Sequence, residues 1–208
     1  MTATSIQKRR GFTLIELLVV MSIIGILASL GLAGIPIIRE QVRRIKSQDN
    51  LRNMRIILMN YVTMYGSLPS VQPKHTRYER GGGVRDLWPL YQTGLLNKDN
   101  LKLLQPPGVS LIPFSSNPTI DEFDKNHIGY AYNSTANLDD PENPPIMSEQ
   151  GVSTGVLDLQ GTDIGRKPVF KNGVNVLFAD GTIEFIPAVN GRLSTTKIKP
   201  EMWAKLLD

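Results

Sequence analysis

Between Arg10 and Arg39 the chain carries a single ionisable side chain, Glu16. Residues 12–38 are otherwise almost wholly apolar. As a helix they are long enough to cross a bilayer core, which takes about 20 residues. They are also too long and too continuous for the apolar region of a secretory signal, typically about 7–15 residues. Such a stretch must be covered by lipid or by other helices, so the rest of the chain is read as a domain that it anchors or assembles.

Glu16 is the oddity within that run. An ionised side chain at this depth costs a few kcal/mol or more unless it is paired. One reading leaves it at the membrane interface, solvated. The other gives it a free amino terminus as partner. If the chain were cut after Gly11, Phe12 would carry an α-ammonium. One helix does not easily bring these two groups together, but a neighbouring parallel copy in a staggered assembly can.

The string KRRGFTLIELLVVMSIIGILA, from Lys8 onward, resembles the N-terminus of type IV prepilins and type II secretion pseudopilins. It has a short basic leader, a glycine before the cut, an aromatic first mature residue and Glu as the fifth. The resemblance implies cleavage between Gly11 and Phe12 by a membrane prepilin peptidase and N-methylation of Phe12. It also implies polymerisation through the apolar helix, with Glu16 and Phe12 serving register and neutralisation. The partners implied are further copies of the chain, other pilins or pseudopilins, the inner-membrane assembly platform and the lipid bilayer. The implied location is the bacterial inner membrane, single-pass, with the N-terminus cytoplasmic and the C-terminal domain periplasmic, and a filament or pseudopilus after assembly. The fold class expected is α+β and pilin-like: a long N-terminal helix, membrane-spanning then amphipathic, packed on a small antiparallel sheet.

At 208 residues the chain has room for that helix and one modest domain. Its formal charge of +4 includes Lys8, Arg9 and Arg10 of the leader, so no basic footprint for nucleic acid remains in the mature part. Cysteine is absent, which removes disulfides, thiolate metal sites and cysteine nucleophiles together. The two histidines, His75 and His127, are too isolated for a metal cage. The leader's basic cluster favours the cytoplasm, but Arg39, Arg43, Arg44 and Lys46 on the far side weaken that rule, and a following soluble domain is translocated largely regardless of charge.

Residues 1–11 form the leader. The helix is expected from Phe12 to about Tyr65, with Gly31, Gly34 and Pro36 weakening it. Pro36 removes a backbone donor and should kink or open residues 32–36. From residue 39 to 66 the pattern turns amphipathic. Val42, Ile45, Met54, Ile57, Leu58, Tyr61, Val62 and Tyr65 share one face, and Arg43, Arg44, Lys46, Asp49, Arg52 and Arg55 the other. Gly66 and Pro69 end the helix. The domain then occupies 67–208. Its Gly81-Gly82-Gly83 has neither a following Lys-Ser nor a preceding strand, and reads as a flexible connection rather than a phosphate loop. Val84–Thr93 is a short helix if Pro89 falls in its first turn, and Leu95–Leu104 adds another turn. Trp88 and Tyr91 suit core packing better than a sugar-stacking shelf.

Short strands are expected at 129–132 and 145–148. Between them, Asp139, Asp140 and Glu142 could supply oxygens to a weak Ca²⁺ site, since Ca²⁺ takes six to eight. The spacing is not that of an EF-hand, and a solvated acidic turn explains the same residues. Major pseudopilins often carry calcium in a C-terminal loop, and the resemblance raises the idea on that ground. No other cofactor is expected.

The sharpest local signal is VNVLFADGTIEFI, residues 174–186. Asp180-Gly181 between alternating residues predicts a hairpin with a two-residue type I′ turn. That register pairs Phe178 with Ile183 and Val176 with Phe185. The segment is also similar to the C-terminal signature of a bacterial prepilin-type group, a histidine, nine intervening residues and then Asp-Gly. Phe170 stands where that histidine would be, so the signature is incomplete. Residues 187–208 read as a basic, polar tail with a short helix near Glu201–Leu207, where Trp203 docks.

No catalytic constellation emerges: there is no serine elbow, no His-Glu metal helix and no fixed carboxylate pair. The expectation is a structural subunit, not an enzyme. The alternatives are a membrane-anchored domain that binds a carbohydrate or surface ligand without polymerising and, more weakly, a tethered enzyme.

Overall fold

The computed structural model describes residues 12–71, 83–124, 126–149, 173–189 and 192–193, with backbone alone at 30–34, 188–189 and 192–193. Helix α1 covers Leu14–Tyr65, 52 residues, with Pro36 inside it. The opening expected at 32–36 is therefore not a break in the helix, although Pro36 still cannot donate to the carbonyl one turn earlier. The helix ends where the glycine signal puts it. Gly66 adopts φ +78°, and its N–H reaches the Val62 carbonyl at 2.7 Å, closing the last turn. The chain divides into two compact units, Met1–Gln41 and Val42–Asp208.

In the first unit every described side chain of the apolar run is exposed, from Phe12 at 78% to Ile38 at 61%. Its two serine hydroxyls at Ser22 and Ser29 are satisfied within the helix: Ser22 Oγ donates to the Leu18 carbonyl and Ser29 Oγ to that of Ile26, both at 2.8 Å. Neither therefore needs water, a requirement for any helix that enters an apolar medium. Among the described residues no helix is long and apolar enough to cross a membrane. The described side chains of the run fall into 12–29 and 35–38, each short of the roughly 20 residues a span takes.

The second unit is α+β. Among the described residues it contains the C-terminal part of α1, the short helix α2 at Trp88–Gln92, 3₁₀ turns at Val84–Leu87, Leu101–Leu104 and Ile120–Glu122, and five strands. Pro89 sits in the first turn of α2, where its missing N–H costs nothing. The strands are β1 (Tyr130–Tyr132), β2 (Pro145–Glu149), β3 (Gly173–Phe178), β4 (Ile183–Val189) and β5 (Arg192–Leu193). They form an antiparallel sheet in chain order. The polar tail expected from residue 187 onward is thus partly strand, because β4 runs on to Val189 and pairs with β5. The helix proposed near 201–207, with Trp203, lies outside the described residues.

The sheet meets α1 through two cross-strand rows. The first is Tyr132, Met147, Leu177 and Ile183, linked by the pairings of β1–β2, β2–β3 and β3–β4. All four join the core that Leu51, Met54 and Leu58 of α1 enter fully buried. The second row is polar and is described below. Val174, Val176 and Ile186, on the opposite face, are also buried.

Two expectations need correction here. The buried stripe of α1 is not the one hydrophobicity alone picks: Val42, Ile45 and Tyr65 are 58%, 55% and 55% exposed, while Ser47 and Leu51 are fully covered. The hairpin register is also one residue off. Leu177 pairs with Ile183 and Val176 with Glu184. The reason is the turn. Type I′ needs positive φ at both central residues, and only Gly181, at φ +83°, has it. The chain instead makes a three-residue loop, Ala179-Asp180-Gly181. The Gly181 N–H donates to the Phe178 carbonyl and the Phe178 N–H to the Thr182 carbonyl, both at 2.9 Å. This is the type I turn followed by a left-handed glycine.

Candidate assembly terminus and buried polar row

The described chain begins at Phe12, with Gly11 and the leader outside it. Thr13 precedes the first helical residue and Glu16 lies three positions on, which is the spacing of a capping box. Both halves of the box form. The Thr13 N–H and Thr13 Oγ1 each donate to Glu16 Oε2 at 2.8 Å, and the Glu16 N–H donates to Thr13 Oγ1 at 3.3 Å. Negative charge in the first turn also meets the positive end of the helix dipole. One carboxylate oxygen is thus spent on the chain's own helix. Among the described residues the other, Oε1, has no partner, and Glu16 is exposed. Sequence reading placed Glu16 but overlooked Thr13. The signal was present as Thr-x-x-Glu ahead of an apolar run.

Gly31 and Gly34 are helical, and their side-chain surroundings are not described. Asp180 and Gly181 sit at the hairpin turn. Asp180 Oδ1 accepts from the Thr182 N–H at 2.8 Å and from Thr182 Oγ1 at 2.7 Å. The Asp180 N–H donates to Asn143 Oδ1 at 2.9 Å. Asp180 is therefore a turn residue, tied to the preceding loop.

That loop does not gather Asp139, Asp140 and Glu142 into a cation cage. Among the described residues no group of three or more acidic, histidine or cysteine side chains is placed to hold a metal ion. The loop's own side chains serve its backbone: Asn137 Oδ1 accepts from the Asp139 N–H at 3.1 Å and Asp140 Oδ1 from the Glu142 N–H at 2.9 Å. Asn143 holds φ +50°, a conformation that asparagine tolerates better than most residues.

Trp88 and Tyr91 stack on each other at 5.4 Å, and Phe123 meets the Trp88 ring edge-on at 5.2 Å. Both pack half-buried against the core. His127 is held by Asp124 through a 2.7 Å contact at Nδ1. His75, Gly81, Gly82 and Phe170 lie outside the described residues.

The feature that sequence reading missed altogether is the second row of the sheet. Tyr130 pairs with Glu149 across β1–β2, and Asn175 with Phe185 across β3–β4. Asn175 joins Glu149 across β2–β3, donating its N–H to Glu149 Oε2 at 2.5 Å and its Nδ2 to Oε1 at 2.9 Å. From α1, Ser47 Oγ donates to Glu149 Oε1 at 2.5 Å and lies 2.8 Å from the Tyr130 hydroxyl. Gln48 Nε2 donates to Asn175 Oδ1 at 3.0 Å, and Asn175 Nδ2 also reaches the Arg44 carbonyl at 3.2 Å. The Arg44 guanidinium stands 3.4 Å over the Phe185 ring. Ser47, Tyr130 and Asn175 are fully buried, and Glu149 is 2% exposed. Burial pushes the Glu149 carboxyl up to about 7 against the opposing pull of its hydrogen bonds. Burial, reinforced by the Glu149 charge, raises the Tyr130 hydroxyl. A serine in an amphipathic helix and a glutamate at a strand end are individually unremarkable, so nothing local in the sequence announces this row.

The exposed apolar helix, headed by a capped carboxylate and followed by an α+β domain, defines a class of chain built around its N-terminus. Residues 6–32 match the family model of the prokaryotic N-terminal methylation motif, the prepilin-type signature. This motif supports a type IV pilin- or pseudopilin-like precursor. No curated protein and no solved structure matches it.

Proposed function

We propose that this protein is a structural subunit of a type IV pilus or a type II secretion pseudopilus. It is stored in the inner membrane through residues 12–38, cut between Gly11 and Phe12, N-methylated at Phe12 and assembled through its N-terminal helix. The observation that carries the reading is the methylation motif matched at 6–32, which runs into a helix whose described apolar side chains up to Ile38 are all exposed. In this mechanism Glu16 uses both oxygens. Oε2 stays in its own capping box, and the open Oε1 receives the Phe12 ammonium of a neighbouring copy. Methylation leaves that amine protonated, so the pairing survives the modification. The size of the domain and its loop-and-hairpin end favour a pseudopilin or minor-pilin type.

Glu16→Val tests the charge pairing. The variant should insert into the membrane and be processed as the wild type is, yet yield no filaments by negative-stain microscopy. Wild-type filament yield would overturn the pairing. Absence of filaments from the processed wild type would favour a membrane-anchored binding domain.

A further inference from the structure

Glu149 is a carboxylate buried at the junction of α1 and the sheet, and among the described residues no cation pairs with it. Within hydrogen-bond reach it has three donors from two elements, Ser47 Oγ on α1 and the N–H and Nδ2 of Asn175 on β3. Behind Ser47 stands the buried Tyr130 hydroxyl of β1, which also approaches the Ser47 carbonyl at 3.5 Å. Among the described residues, Tyr130 is the titratable group that faces this cluster from β1. On α1, Arg44 offers its carbonyl to Asn175, and its guanidinium is turned onto Phe185. Neither neutralises the carboxylate.

The hydroxyl chain can run in either direction. When Glu149 is ionised, Tyr130 donates to Ser47 and Ser47 to Glu149. When Glu149 is protonated, it donates to Ser47, Ser47 to Tyr130 and Tyr130 to the Ser47 carbonyl. Both states therefore satisfy their hydrogen bonds, but the ionised one buries a charge that, among the described residues, is met by hydrogen bonds and by no cation, and a buried charge without an opposite charge is costly. We propose that Glu149 is a proton-controlled latch that fastens α1 to the sheet: protonated it holds the helix tightly, and ionised it loosens that hold.

The direction follows from linkage. A carboxyl whose folded-state value, about 7, lies above its ordinary 4.5 contributes stability in full below the ordinary value. That contribution is lost as pH climbs through about 7. Every group in the device belongs to the second unit.

The test is hydrogen exchange and infrared spectroscopy on the detergent-solubilised full-length protein between pH 5.5 and 8.5. Wild type should show a protonated-carboxyl C=O band at the acid end that vanishes at the alkaline end. Protection of α1 residues 44–58, corrected for intrinsic exchange, should fall by roughly tenfold or more over the same range. Glu149→Gln should lack both the band and the pH-dependent loss. If it does not fold, the wild-type band decides alone, together with Ser47→Ala, which removes a donor to the anion and should move the band's midpoint to higher pH. A band missing at pH 5.5, parallel protection profiles for wild type and Glu149→Gln, or an unmoved midpoint in Ser47→Ala would each overturn the latch.

Discussion

Gly173 and Gly181 bracket the hairpin and are required for different physical reasons. Gly181 supplies the left-handed residue of the turn at φ +83°. A Cβ there would lie 2.0 Å from the Arg55 guanidinium, but that is the end of a long exposed side chain and can swing away. What remains is the left-handed penalty, roughly 1–2 kcal/mol for an L-residue. At Gly173 a Cβ would fall 2.2 Å from the Ile186 carbonyl oxygen and 2.9 Å from the Pro187 Cα. Those atoms belong to the paired strand and cannot move without breaking the ladder. Gly173→Ala is therefore expected to destabilise the domain more than Gly181→Ala, whose cost should stay near 1 kcal/mol. Denaturant unfolding of the two variants checks the order, and equal costs would mean that β4 yields at this point. Asp-Gly was legible as a turn from the sequence. Its three-residue form was not, because that depends on Asp180 keeping negative φ while Asn143 and Thr182 hold it from either side.

At the scale of elements, α1 shows where a helical pattern informs and where it misleads. The expected amphipathic stripe correctly included Met54 and Leu58, which meet the apolar row of the sheet. It wrongly included Val42 and Ile45, and it missed Ser47 and Leu51. The cause is the neighbouring polar row. Where α1 passes Glu149 and Asn175, the buried position is the hydrogen-bonding Ser47, which interrupts the apolar pattern, whereas Leu51 one turn on is apolar and fits it. A periodicity that scores only hydrophobicity cannot see this. The corrected stripe makes a contrast that can be measured. Leu58→Ala empties a fully buried site and should cost about 2–5 kcal/mol, whereas Ile45→Ala, at an exposed position, should stay within about 0.5 kcal/mol. Unfolding midpoints of the two variants would show whether the buried face has been placed correctly, and a large cost at Ile45 would mean that it has not.

For the whole molecule the decisive quantity is the uncovered apolar surface of residues 12–29 and 35–38. Each large side chain there gains about 1.5–3 kcal/mol when removed from water, so the first unit must be covered. Lipid and sister helices do this almost equally well, because lipid tails are as apolar as leucine and supply no hydrophobic drive from one to the other. On the proposed function, the choice between storage in a membrane and packing in a filament then falls to the few specific interactions available, chiefly the open oxygen of Glu16 and whatever cation can reach it. In an uncut chain the Phe12 nitrogen is an uncharged amide, and Lys8, Arg9 and Arg10 precede it in sequence. Cutting after Gly11 removes those three positive charges and creates a single ammonium at the head of the apolar helix. Processing should therefore act as the commitment step. Filaments recovered from cells should contain only chains whose intact mass begins at Phe12 and includes one methyl group, while chains retaining the leader stay in the membrane fraction. Filaments built from unprocessed chains would show that the apolar helix assembles without that ammonium.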